Sequence, residues 1–277
     1  MTSAKDLILR PIDSAEANAL MRRLHYSHRV VRNSQLHIGV FWQGALAGAL
    51  QFGPPLDKRK VLGLVRGTRW QEMLELNRLA LAEQLPRNSE SRAIAVACRL
   101  LRRHAPQVKW ILSFADATQC GDGTIYRAAG FVLTAIKPND QIWALPDGAP
   151  LAARVTLTKG PHILHTASLR PGIGAIGQAG ATGGASSMKA YEAQGARPLP
   201  GFQLRYVKFL DPTWADRLTV PVLPYAAIAE AGARMVRGRS AENGTAATSR
   251  RGRCDSDPPA PDQEADACAD ASRRQPR

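Results

Sequence analysis

Residues 70 to 116 restrict the fold more than any other part of the chain. WQEMLELNRLALAE (70–83) is a mixed apolar run of the kind a central strand carries, and VKWILSFAD (108–116) is a second, strongly apolar one. Between them Ile94, Ala97, Cys98 and Leu101 recur at helical spacing, while Arg99, Arg102 and Arg103 fall on the opposite side. That helix is expected over Ser89–His104, and Pro106 ends it because proline lacks a backbone N–H. Strand, amphipathic helix and strand in succession predict a mixed α/β fold, a central sheet flanked by helices.

The flanking segments fit this order. Asp13 with Glu16 makes a capping-box-like start, and Ala17, Leu20, Met21 and Leu24 follow on one face, so a first helix delivers HYSHR (25–29) at its C-terminal end. LHIGVFWQGALAGALQF (36–52) reads as a hairpin about Gln43-Gly44, ended by Pro54-Pro55. Asp57 caps a short basic helix, DKRKVLGLV. GTIYRAAGF predicts another short helix closed by Gly130 in the left-handed conformation, leading to strands FVLTAI and QIWAL. Residues 1–145 are thus expected to form the main folded core. Residues 146–200, rich in Gly and Ala, read as an insertion or flexible loop that cannot bury enough apolar area to offset ordering entropy. Residues 201–230, with FQLRYVKFL, supply a final strand that completes the core, and 231–277 reads as a disordered tail.

Composition bounds the setting. A chain of 277 residues with 44% hydrophobic content builds a core without covalent staples. Cys98, Cys120, Cys254 and Cys268 show no C-x-x-C spacing, the opening MTSAKDLILRPIDSAEA lacks the apolar run of a secretory signal, and no apolar stretch approaches the roughly 20 residues of a membrane span. The expectation is a cytoplasmic protein with no membrane partner. The formal charge is +14, and up to residue 110 there are 18 Lys and Arg against 8 Asp and Glu. The excess favours a polyanion, because neutralised phosphates release condensed counterions.

Three groups of residues carry candidate chemistry. PRNSESRA places Arg87, Ser89, Ser91 and Arg92 around a helix N-terminus that follows a strand, where backbone N–H groups and the helix dipole favour an anion such as a pyrophosphate. The competing reading is a Ser89 cap with solvated arginines. HYSHR packs His25, Tyr26 and His28 into one turn, with Arg22, Arg23, Arg29 and Arg32 around them; Lys58, Arg59 and Lys60, with Arg66 and Arg69, add a second basic group suited to DNA phosphates. Asp116 follows WILSFA at the carboxyl end of a central strand, where open α/β sheets place ligands, although loop capping is an alternative fate.

YRAAGF (126–131) resembles the segment of GNAT acyltransferases in which a tyrosine four residues before a Gly-Phe pair protonates the departing thiolate of coenzyme A. Tyr126, Gly130 and Phe131 occupy those positions, while PRNSES stands where such proteins have a Gly-rich pyrophosphate loop. HYSHR, HIGVFWQGALAGALQFG, ELNRLAL, SESRAIAVACRLLRRH, KWILSFAD and GTIYRAAGF, in that order, resemble a narrower group, the phage Mom family of DNA adenine modification proteins, over about residues 20–136. That resemblance implies a GNAT-like fold, double-stranded DNA as substrate, and transfer of a carbamoylmethyl group to the exocyclic amine of adenine. It further implies protection of phage or prophage DNA from restriction, with acetyl-CoA and iron implicated. It maps His25, Tyr26, Asp116 and Tyr126 to the reaction centre, and Arg78 with the Ser89–Arg92 turn to cofactor handling.

The chemistry is consistent with that mapping. The adenine amine is a weak nucleophile, its lone pair delocalised into the ring, so an enzyme must remove a proton as the bond forms or supply an activated carbon. A histidine and a carboxylate would serve, and His25, Tyr26 and Asp116 are also types that suit iron, although His-x-x-His alone leaves the metal open. Two other readings remain: a GNAT acetyltransferase using acetyl-CoA on a protein or small-molecule amine, and a basic DNA-binding protein without catalysis.

Overall fold

The computed structural model describes residues 3–117, 121–139, 142–146, 150–152, 189–199, 201–233, 235–236 and 239–240. Most of the Gly-rich stretch and of the C-terminal tail lie outside the described residues.

Seven strands make one mixed sheet. They are β1 (Ile8–Pro11), β2 (Leu36–Trp42), β3 (Ala45–Gly53), β4 (Met73–Leu81), β5 (Trp110–Asp116), β6 (Val132–Pro138) and, after three short strands β7 (Ile142–Ala144), β8 (Pro150–Ala152) and β9 (Arg197–Pro198), β10 (Phe202–Phe209). Their spatial order is β1-β2-β3-β4-β5-β10-β6, so FQLRYVKFL inserts between β5 and β6. All neighbours are antiparallel except β4 and β5. QIWAL is a strand, but it belongs to a separate three-stranded sheet in which β8 and β9, both from the Gly/Ala-rich region, flank β7. Met235–Val236 and Arg239–Ser240 pair as a ribbon within the segment expected to be disordered.

Local chemistry explains the elements. Gln43 and Gly44 both take positive φ, 50° and 80°, which is the turn geometry that lets two strands continue with matched twist. α1 (Ser14–Leu24) starts at Asp13, but that side chain makes no capping hydrogen bond, so the expected capping box is absent. Packing holds the helix instead: Ala17, Leu20 and Met21 are buried against Ala49 and Ala80. Asp57 does cap α2 (Lys58–Leu62), accepting from the Lys60 N–H at 3.3 Å. α3 (Ser89–His104) buries Ala93, Ile94, Ala97, Cys98 and Leu101, as its spacing predicts. α4 (Thr124–Ala128) closes through Gly130 at φ 79°.

The sheet has two faces. α3 and α4 cover the back, over Leu50, Phe52, Leu76, Ile111 and Ala115. α1 covers one part of the front, over Ala49 and Ala80, and α2 another, over Met73, Trp110 and Leu112. Burying each such large side chain contributes roughly 1.5–3 kcal/mol before entropy is set against it.

Two irregularities in β4 matter for function. Phe52 pairs with Leu76 and Gln51 with Arg78, leaving Asn77 as an extra residue, a β-bulge. The bulge resets the alternation. Leu76 faces the back core, Glu75 and Arg78 face the front, and Ala80 follows Arg78 against α1. Second, β4 pairs with β5 only at Met73↔Trp110, Leu74↔Ile111 and Glu75↔Leu112. Beyond these the two strands part, and a wedge opens in the middle of the sheet.

Candidate active site

HYSHR leaves α1 at the front of the sheet. His25 ends the helix, its N–H donating to the Met21 carbonyl, and its ring is buried. The Ser27 N–H donates to Nδ1 of His25 at 3.1 Å, and the Ser27 hydroxyl lies 2.8 Å from the same nitrogen. A nitrogen that accepts an N–H carries its lone pair there, so the proton of the neutral ring is on Nε2. Burial, then the Arg78 guanidinium and then His28, lower the pKa of His25 to about 3. His25 is therefore a neutral imidazole with an Nε2–H to offer. The Tyr26 ring lies 4.4 Å from it, tilted by 32°. His28 adopts φ 49°, and its Nδ1 lies 2.8 Å from the Arg22 carbonyl, which can only accept, so Nδ1 of His28 carries a proton.

Arg78 comes from β4. Its Nη1 donates to the Asn77 carbonyl at 2.8 Å, and its buried Nε has no hydrogen-bond partner among the described residues. Its cross-strand neighbour Gln51 is fully buried, donating from Nε2 to Asn18 of α1 at 2.9 Å and lying 3.2 Å from Nδ1 of His37. The loop after HYSHR is fastened to the bulge, with the Ser34 hydroxyl donating to Oδ1 of Asn77 at 3.1 Å and the Asn33 amide donating to the Pro54 carbonyl.

Asp116 ends β5 opposite Gln203 of β10. Strand alternation puts it on the face of Trp110 and Leu112, the front, which it shares with Glu75 and Arg78. Tyr126 approaches from the back. Its ring packs against Phe131 and Tyr206 at 5.5 and 5.3 Å, and its hydroxyl lies 3.5 Å from the Phe114 carbonyl, on the part of β5 that has left β4. His25, Tyr26 and Arg78 thus form one cluster, Asp116 shares its face, and Tyr126 comes to β5 from the other side of the sheet.

At the N-terminus of α3 the serines behave differently from expectation. Asn88, at φ 69°, is the cap residue; the Ser89 hydroxyl donates to the Pro86 carbonyl at 2.6 Å and that of Ser91 to the Asn88 carbonyl at 3.1 Å. Both hydroxyl protons are engaged by the loop itself. What the turn offers an anion is backbone N–H groups and Arg92, whose Nε is buried with no hydrogen-bond partner among the described residues, with Arg87 nearby in sequence.

Of the basic residues, Arg22, Arg23, Arg32, Arg59, Lys60, Arg66 and Arg69 are exposed, and Arg29 is half-buried with its pKa lowered by burial. Lys60 pairs with Asp57 at 3.0 Å, and nothing is described of the Lys58 side chain. Among the described residues no three His, Cys, Asp or Glu side chains converge to hold a metal ion. With Nδ1 of His25 already accepting from Ser27, the described residues do not fit an iron centre. No helix among them is long and apolar enough to cross a membrane.

The sequence reading missed Glu75 and Asn77. Both are polar residues set inside the apolar strand ELNRLAL, which is the one signal that marked them. Glu75 is half-buried, and burial raises its pKa against the opposing effects of a hydrogen bond from Asn77 and the charge of Arg78.

Among solved structures the chain is similar to a GNAT family acetyltransferase from Elizabethkingia anophelis with acetyl-CoA bound, at 14% identity over 48% of this chain and 80% of the other, TM-score 0.32. It is also similar to Arabidopsis thaliana NAA60 in complex with a bisubstrate analogue, at 10% identity over 73% of this chain and 97% of the other, TM-score 0.42. A curated relative, the methylcarbamoylase mom of Escherichia phage Mu, is 41% identical over 129 residues, 46% of this chain. The chain spans about half, 53%, of the length of that relative. The Mom protein family matches residues 6–227, a range that holds the whole front-face cluster, the wedge and the α3 turn, and the chain belongs to that family.

Proposed function

We propose that the chain is a DNA-modifying transferase that places a carbamoylmethyl group on the exocyclic amine of adenine and so shields phage or prophage DNA from restriction enzymes. The observation that carries this is family membership, with a relative named methylcarbamoylase, joined to a front-face cluster of His25, Tyr26 and Arg78 beside an open wedge.

In this reading the exposed Arg22, Arg23 and Arg32, with Arg29 and the Lys58-Arg59-Lys60 group, contact phosphates of double-stranded DNA. The target adenine leaves the stack to reach the front face, with Tyr26 as a surface to stack on. His25 offers Nε2–H to an oxygen or ring nitrogen of the bound reactants, and Asp116 presents its carboxyl group on the same face. Acetyl-CoA would be held at the α3 turn by Arg92 and Arg87 with the N–H groups of the Ser89–Ser91 turn on its phosphates and Arg78 assisting, and Tyr126 would supply a proton to a departing thiolate.

Mass spectrometry of nucleosides from the DNA of cells expressing the folded protein tests the proposal. A modified adenosine with the added mass of a carbamoylmethyl group is expected. Unmodified DNA together with an acetylated peptide or amine would instead establish an ordinary acetyltransferase.

A further inference from the structure

Three large hydrophobic side chains stand exposed among the described residues: Ile8, Leu56 and Val222. Ile8 lies on the edge strand β1, and Val222 precedes Leu223, which bridges to Leu133 of β6 at the opposite edge. Single apolar residues in such places are ordinary surface. Leu56 differs in degree and in place. It is 85% exposed, and it sits on the loop that leaves β3 just past Gly53, the cross-strand partner of Glu75.

The loop is firmly held. Pro54 and Pro55 fix φ at the two positions before Leu56, Pro55 is buried, and the Pro54 carbonyl accepts from the Asn33 amide. The Gln35 N–H donates to the Phe52 carbonyl at 2.8 Å, so the end of β3 is tied twice to the segment that continues HYSHR. On the far side Asp57 caps α2. A hydrophobic residue just before a helix cap commonly packs against the fourth residue of the helix. Here that residue is Val61, which is buried with Met73 and Trp110. At 85% exposure Leu56 does not bury itself against it, and an apolar side chain on a rigid backbone is left facing water.

The charges around the loop point to what covers it. Arg32 adjoins Asn33, and Arg59 follows three residues after Leu56; both are exposed. The nearby carboxylate of Asp57 is paired with Lys60 at 3.0 Å. Phosphates held by the arginines would bring a duplex against the loop. DNA-bending proteins insert such side chains, Leu among them, between base steps, and a base leaves its stack at the cost of unstacking and unpairing.

We infer that Leu56 is a wedge that enters the base stack beside the target adenine and fills the gap while the adenine occupies the front face. The inference rests on the proposed adenine modification. Its burial between base faces, which folding leaves unused, is gained only on the duplex.

The test is Leu56→Ala beside Leu56→Met and wild type, in single-turnover formation of the modified adenosine. Two duplexes are compared: one that wild type modifies, and the same duplex with an abasic site opposite the modified adenine. Leu56→Ala is expected to be slower by about tenfold or more on the paired duplex and within about twofold of wild type on the abasic one, where unpairing is already done. Leu56→Met should keep most of the paired-duplex rate. The salt dependence of DNA binding should not change, because no phosphate contact is removed. An undiminished rate of Leu56→Ala on the paired duplex overturns the inference and leaves the proposed function standing. An equal loss on both duplexes overturns it too, because Leu56 then serves as an ordinary contact. Folded wild type that forms no product on either duplex brings down the proposed function and this inference with it.

Discussion

Ser27 holds His25 through a single ring nitrogen, its N–H 3.1 Å and its hydroxyl 2.8 Å from Nδ1. This pairing, within two residues, turns the crowded end of α1 into a defined hydrogen-bond donor. The burial and positive surroundings that keep the ring neutral also have a consequence for stability. The unfolded chain protonates His25 near 6.5, whereas the folded chain does so only near 3. Between those values the unfolded state binds the extra proton, so stability rises with pH across the window and is lost as pH falls through it. The slope contributed is about 1.4 kcal/mol per pH unit where the two states differ fully. His25→Gln should flatten the dependence of melting temperature on pH between about 6.5 and 4 relative to wild type, as differential scanning calorimetry would register. Parallel curves for the two proteins would contradict the buried neutral assignment.

Gly53 is where the HYSHR loop meets the bulge. A Cβ there would run into the Asn33 carbonyl group and stand 2.9 Å from Oδ1 of Asn77. Neither can retreat easily, since Asn33 is tied to Pro54 and Asn77 to Ser34. Gly53→Ala is expected to cost about 1–3 kcal/mol by urea unfolding. It should also lower activity more than a surface Gly44→Ala control does, even under conditions where both proteins remain folded. Equal activity in the two variants would show that the loop and the bulge are not coupled as the packing implies.

Parts of this architecture were legible in the chain and parts were not, for physical reasons. The span of α3 follows from its apolar spacing and Pro106, and the hairpin turn from Gln43-Gly44, because both signals are local. The place of β10 between β5 and β6 depends on pairing across residues far apart in sequence, which no local pattern encodes. The Asn77 bulge is hidden for a related reason. It exists only as a mismatch of count between β3 and β4, and without it Glu75 and Arg78 cannot be assigned to one face. HYSHR stood out by composition, yet the tautomer of His25 and the engagement of the Ser89 hydroxyl with Pro86 depend on distances that a string of residues does not carry.

Arg22 and Arg23 lie in the last turn of α1, both exposed, immediately before the buried His25. Where such side chains neutralise DNA phosphates, counterions are released, and the slope of log binding constant against log salt becomes shallower by about 0.9 for each phosphate no longer neutralised. Arg22→Gln with Arg23→Gln should therefore flatten the slope on duplex DNA by about 2 in filter-binding or anisotropy titrations, weakening binding alike on unrelated sequences. Unchanged slope would place the DNA elsewhere on the protein.

Arg92 tests the other side of the sheet. Its buried Nε lacks a hydrogen-bond partner among the described residues, and a buried donor left without one costs roughly 1–3 kcal/mol. A phosphate oxygen at the α3 turn would satisfy it. Ser89 and Ser91 cannot substitute, because their hydroxyl protons go to Pro86 and Asn88. Arg92→Met is expected to weaken acetyl-CoA binding by about tenfold or more in isothermal titration, corresponding to the ~1.4 kcal/mol of one charged hydrogen bond. The unliganded protein should be as stable as wild type or slightly more so, since the orphaned donor is gone. Ser89→Ala should leave acetyl-CoA affinity nearly unchanged while destabilising the loop. The opposite ranking, with Ser89 decisive and Arg92 silent, would mean that the turn rearranges its hydroxyls on binding and that the phosphates sit on Ser89.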